Sequence, residues 1–157
     1  MTDLDTLREC YREKLADMLR HEAGARSVQQ YDANNTYQYI INREETQLSW
    51  VAAAVRALGG TVDDVAGPDS GSLPSGAAAI ETNDAAAAQS FVDRWRTRLD
   101  TLDDARYRGM LRVIIGETLE QKRFFEQALA GRTDLLGRRS DAVGARVGTV
   151  LPTRWIE

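Results

Sequence analysis

The sequence is poor in the residues that build most catalytic and metal centres. Its 157 residues include one cysteine, Cys10, and one histidine, His21, so an intrachain disulfide framework and the usual zinc spacings are excluded. There are three prolines, and Pro68 and Pro74 fall in one stretch. No run approaches the ~18 apolar residues of a membrane span. The first residues, Met1-Thr2-Asp3-Leu4-Asp5, are acidic and lack the apolar core of a signal peptide, so the expected setting is cytoplasmic, with no membrane partner. Only two of the twenty basic residues are lysine, and no basic stripe with interleaved aromatics appears. Arg94, Arg96, Arg98, Arg106 and Arg108 alternate with acids, as solvated helix faces do, which argues against a nucleic-acid partner.

What is present points to helices. Alanine is the commonest residue, with 21 copies, and 43% of the chain is hydrophobic, enough for one domain to bury a core without staples. Charge is uneven: residues 1–92 carry 14 acids against 7 bases, and residues 93–157 carry 10 against 13. Leu4, Leu7, Tyr11, Leu15 and Met18 keep the three-four spacing of one helix face, and Gly24 offers a stop. Ser27 with Gln30 reads as a capping box for a second helix, whose apolar series Tyr37, Ile41, Leu48, Val51, Val55 and Leu58 ends at Gly59-Gly60. Residues 61–83 lose the 3.6 period and read as a long crossover. Within it Gly67-Pro68-Asp69-Ser70-Gly71-Ser72 lacks the Lys-Ser/Thr ending of a phosphate-binding loop.

Thr82 or Asn83 is the expected cap of a third helix through Phe91, Val92, Trp95 and Leu99. Asp103-Asp104 supplies a turn or cap before a fourth helix, with Met110, Ile114, Phe124 and Ala128 on one stripe and Gly131 at its end. Two helical hairpins joined by one crossover make an all-α, ferritin-like four-helix bundle over 1–131. Residues 132–157 form a tail whose Val147, Val150, Leu151, Trp155 and Ile156 are expected to dock on the bundle or on a partner subunit.

Carboxylates interrupt the apolar stripes. The steps Ile41, Glu45, Leu48 put Glu45 on the buried face, and the stripe through Met110 and Ile114 puts Glu117 and Gln121 mid-core. Glu13 lies at the inward edge of the first helix. A carboxylate in a dry core costs several kcal/mol unless a cation pairs with it. Three readings stay open: a metal ion, a buried polar network using Arg43, Arg112, Arg123 or a tyrosine such as Tyr37, or plain surface. His21 is expected to meet the helix dipole near the end of the first helix. Cys10 has Arg8 and Arg12 nearby, but a helical cysteine beside an apolar stripe is more often inert. Trp50, Trp95, Trp155, Phe124 and Phe125 either line an apolar pocket or pack in the core.

The run Glu44-Glu45-Thr46-Gln47-Leu48-Ser49-Trp50, followed by Val51 to Leu58 and Gly59-Gly60, resembles the second helix of ferritin-like and rubrerythrin-like proteins. Gly116-Glu117-Thr118-Leu119-Glu120-Gln121, continuing to Glu126, is similar to that family's second Glu-x-x-His motif. The interval of about 30 residues between Glu13 and Glu45 matches the family's spacing too. The resemblance covers roughly residues 4–131. It implies a dinuclear iron or manganese centre, with Glu13, Glu45, Glu117 and Glu120 as the metal ligands this chain retains. The two histidine positions, however, hold Leu48 and Glu120 (or Gln121 if the register slips by one), and the third-helix carboxylate position falls near Asp84 to Ala88, an alanine-rich run offering only Asp84. The expected function is therefore a ferritin-like helical protein with a degenerate metal site, a non-catalytic binding or assembly module, a homodimer with a further protein partner and no cofactor. The alternative is an iron or manganese oxidoreductase using those carboxylates.

Overall fold

In a computed structural model, residues 1–132, 135 and 136 are described. Among them the chain is all-α, with four long helices and no strand. α1 spans Asp3–Ala25 and opens on a reciprocal cap: the Asp5 amide donates to the Thr2 hydroxyl, and the Asp5 carboxylate accepts from the Thr2 amide. α2 spans Tyr31–Ala57. It begins later than Ser27 suggests because the cap is Gln30, whose side-chain oxygen accepts the Ala33 amide at 2.7 Å. Val28, in the linker, is buried instead. Asn34 Nδ2 then reaches back to the carbonyls of Ala25 and Val28, both at 3.0 Å, and satisfies the end of α1. α2 stops where expected, on Gly59 at φ +81°, a left-handed conformation glycine adopts without a Cβ penalty.

α3 spans Ala77–Leu99 and α4 spans Ala105–Leu129. The start of α3 corrects the expected crossover of 61–83: residues 77–83 are helical, and the connection is 58–76 with one 3-10 turn at Ser70–Ser72. Thr82 is not a cap, since its hydroxyl donates to the Ala78 carbonyl within the helix. Asp104 does cap α4, accepting the Arg106 amide at 2.8 Å.

The helices form two antiparallel pairs, α1 with α2 and α3 with α4, and the pairs meet through α2 on α4 and α1 on α3. At one end the Asp3 carboxylate accepts the amides of Asp103 and Asp104, at 2.8 and 3.0 Å. At the other, Gly24 allows α1 to approach α3 so closely that a Cβ there would lie 3.0 Å from Ile80. α1 and α3 are thus antiparallel, α2 and α3 run the same way, and the crossover must travel the length of the molecule. It climbs along α1: Asp63 pairs with Arg8 and Arg12, Val62 packs on the core, and Gly67 passes Leu19.

The apolar core is split in two. The cluster at the Asp3 end holds Leu7, Cys10, Val51, Val55, Trp95 and Leu111. The cluster at the Gly24 end holds Met18, Tyr37, Ile40, Ile80, Phe124 and Phe125. Trp95, Phe124 and Phe125 therefore pack in the core, and Trp50 packs against it. Of the tail, Leu135 is buried in the second cluster, while residues 137–157, with Trp155 and Ile156, lie outside the described residues.

Candidate functional site

A set of buried polar side chains lies along the inner faces of all four helices. Lys14 and His21 are two turns apart on α1 and so share a face. Both converge on Glu44 of α2, which is fully buried. Lys14 Nζ donates to Glu44 Oε1 at 3.1 Å, and His21 Nδ1 donates to Oε2 at 2.8 Å. Lys14 is 1% exposed, its ammonium 4.9 Å above the centre of the Phe91 ring. Burial favours the neutral acid of Glu44, but His21 and Lys14 outweigh it and hold the carboxyl below its ordinary 4.5. Burial likewise disfavours the imidazolium of His21, yet the charge and hydrogen bond of Glu44, with the charge of Asp84, hold its pKa above 6.5.

Asp84 supplies the α3 side of this junction and is 1% exposed. Its Oδ1 accepts from Arg20 Nε at 3.1 Å, and its Oδ2 accepts the Tyr37 hydroxyl at 2.6 Å. His21 Nε2 lies 3.8 Å from Oδ1, outside hydrogen-bond range but within strong charge attraction. Burial first, and then the charge of Asp84, push the Tyr37 phenol up from its ordinary value, so it stays a neutral donor. The same two causes raise the Glu81 carboxyl one turn earlier on α3.

A second network joins α2 to α4. Glu117 accepts from Arg43 and from Gln47 Nε2, each at 2.5 Å. The Arg43 guanidinium also stacks 5.7 Å above the centre of the Trp50 ring. Gln47 Oε1 and Gln121 Nε2 are buried here without a protein partner. A third contact ties α1 to α3, where Glu13 accepts the indole N–H of Trp95 at 2.7 Å and pairs with Arg94.

The four expected ligands are scattered among these arrangements. Glu13 and Glu117 each face an arginine and a neutral donor. Glu120 is on the rim of α4, 3.1 Å from Arg123. Glu45 is exposed, which corrects its expected inward direction. The buried face of α2 runs Tyr37, Ile41, Glu44, Leu48, Val51, so the inward acid is the neighbouring Glu44. Glu45 instead borders an open polar hollow of about 450 Å³ with Glu22, Arg26, Asn34, Gln38 and Asn42. Among the described residues no group of three or more histidine, cysteine or acidic side chains is arranged to hold a metal ion.

His21 does lie near the end of α1, but its ring is buried between two carboxylates, which the sequence reading did not expect. The burial of Cys10 pushes its thiol up to about 12, which leaves it protonated and inert. Sequence reading missed Lys14, Arg20, Glu44 and Gln47. The available signal was the two-turn spacing of Lys14 and His21, one of two lysines and the single histidine, on an otherwise apolar face.

Compared with protein-family models, with curated proteins and with solved structures, the chain matches none. Among the described residues no helix is long and apolar enough to cross a membrane.

Proposed function

We propose that this chain is a ferritin-like helical protein whose interior acids are neutralised by its own cations, and that it works as a non-catalytic binding or assembly module, as a homodimer. One observation carries the reading. The inner carboxylates already have protein partners: Glu44 has Lys14 and His21, Asp84 has Arg20 and Tyr37, Glu117 has Arg43 and Gln47, and Glu13 has Arg94 and Trp95. At Glu44 a metal ion would have to displace the buried Lys14 ammonium, leaving that cation in a low-dielectric interior without its counter-charge, and at Asp84, Glu117 and Glu13 it would have to compete with partly exposed arginines. The order of the helices and the single long crossover are those of the ferritin-like arrangement and support the class.

The test is elemental analysis of protein purified without chelators, then repeated after anaerobic ferrous loading. The expected result is no iron, manganese or zinc above background in either sample. One or two ions per chain would overturn this reading in favour of a metal-binding protein, the expected iron or manganese alternative, with its ligands to be found anew because Glu45 faces solvent. Light scattering coupled to size exclusion tests the dimer, with a mass near twice 17.5 kDa as the expected value.

A further inference from the structure

We propose that the junction of α1, α2 and α3 around His21 is a proton-operated latch, closed while an imidazolium bridges Glu44 and Asp84 and loosened when His21 gives up its proton to water. The geometry carries this. The imidazole is 3% exposed and has a carboxylate at each nitrogen, Glu44 at 2.8 Å and Asp84 at 3.8 Å, on two different helices. When the proton leaves Nε2, the Nδ1–H bond to Glu44 stays. The Nε2 lone pair then faces a carboxylate, and the attraction that drew α3 towards α1 turns to repulsion.

The surrounding groups make the change larger than one hydrogen bond. α1 presents Lys14, Arg20 and, through Arg20, Asp17; α2 presents Glu44 and the neutral Tyr37; α3 presents Asp84 and Glu81; α4 presents the uncharged ring of Phe125 at 5.5 Å. With His21 charged, the cations Lys14, Arg20 and His21 face the anions Glu44, Asp84 and Asp17. Once its proton has left, two cations face those three anions in a place with little water. Burial and the charge of Asp84 raise the carboxyl of Glu81, which is 6% exposed, so it too is a poor place for a further negative charge. The give is confined to this end. At this end Arg20 keeps its hold on Asp84, while the other charged α1–α3 ties, Glu13 with Arg94 and Trp95 and Glu9 with Arg98, lie towards the other end.

The single histidine makes the experiment unambiguous: one imidazole Cε1–H signal is followed by NMR in the full chain from pH 5.5 to 9. Amide protection factors are read over 17–25 and 77–88 at pH 6 and pH 8.5. The expected result is a midpoint above 6.5, with protection in both segments falling about tenfold or more and residues 111–118 of α4 changing less. His21→Gln is expected to show the low protection at both pH values. A midpoint at or below 6.5 would overturn the latch. So would an imidazole that titrates while protection stays constant, and the wild-type measurement decides even if the variant does not fold.

Discussion

Glu44 and Glu45 are adjacent in sequence and opposite in consequence. Glu44→Gln keeps the shape of the side chain but removes the only full negative charge that Lys14 and His21 share by hydrogen bond. A buried ammonium left without its counter-ion is expected to cost about 3–5 kcal/mol. Glu45→Ala, at an exposed position, is expected to stay within about 0.5 kcal/mol. Urea unfolding of the two variants at pH 6, with and without a chelator, checks both; a metal-dependent difference would contradict the ion-pair account. Stability should also follow pH with a definite shape. The carboxyl of Glu44 is held below 4.5, so its contribution is present above that value and is lost as pH falls through the folded pKa. His21 is held above 6.5, so its contribution is complete below 6.5 and is lost as pH rises through the folded pKa. From this pair the plateau lies between about 4.5 and 6.5, and thermal melts in His21→Gln should lose the decline on the alkaline side and weaken the one on the acid side, because His21 helps to hold Glu44 below its ordinary value. The sequence placed an acid on the inner face but chose the wrong neighbour. Successive residues of a helix differ by about 100° in direction, so the two steps 41–45–48 and 41–44–48 fit one stripe almost equally well. Lys14 was illegible for a different reason: lysine is almost never fully buried, and only its partner's position on another helix explains it.

Elements were legible where apolar periodicity ran unbroken and were not where other forces set the ends. α1, α2 and α4 follow their stripes, and the Gly59 and Asp104 boundaries come from backbone chemistry that a sequence displays directly. The first two turns of α3 do not show themselves, because Ala77, Ala78 and Ala79 are good helix formers with no amphipathic signal. Their inward groups, Ile80, Glu81 and Asp84, mix apolar and acidic chemistry and hide the period. The turn between α1 and α2 depends on Asn34. Its amide bridges the carbonyl of Ala25, the last residue of α1, and that of Val28 in the linker. Asn34→Ala leaves those carbonyls without that donor and is expected to cost about 1–2 kcal/mol. Amide exchange should localise the effect to residues 22–34; a loss spread evenly over all four helices would count against the cap.

At the scale of the molecule, the two hairpins are joined by charge as well as by apolar packing. Arg43 and Gln47 hold Glu117, Arg94 and Trp95 hold Glu13, Arg20 and Tyr37 hold Asp84, and each of these links crosses from one hairpin to the other. Lys14 with Glu44 lies within the first hairpin and fixes the register in which α1 presents His21 and Arg20 to α3. Such pairs are poor sources of net stability, because desolvation offsets their attraction, but they are costly to break singly. That asymmetry yields a whole-molecule prediction. Made one at a time, Glu44→Leu strands the buried Lys14 ammonium and Lys14→Met leaves Glu44 with His21 alone, and each should destabilise. Made together, they place two apolar side chains of similar volume between the existing apolar clusters, and His21 relaxes to its neutral form with Asp84 still held by Arg20 and Tyr37. The double variant is expected to recover by about 1–3 kcal/mol relative to the sum of the singles, measured as a coupling energy by urea unfolding at pH 6. Its stability should no longer fall on the acid side where Glu44 takes up its proton. A double variant as unstable as the sum of the singles would show that the charges are not paired as the structure pairs them. The same variant separates structure from register. If the helices keep their helicity but the α1–α3 contacts at His21 and Asp84 lose protection, the buried pair sets how the hairpins meet rather than whether they fold.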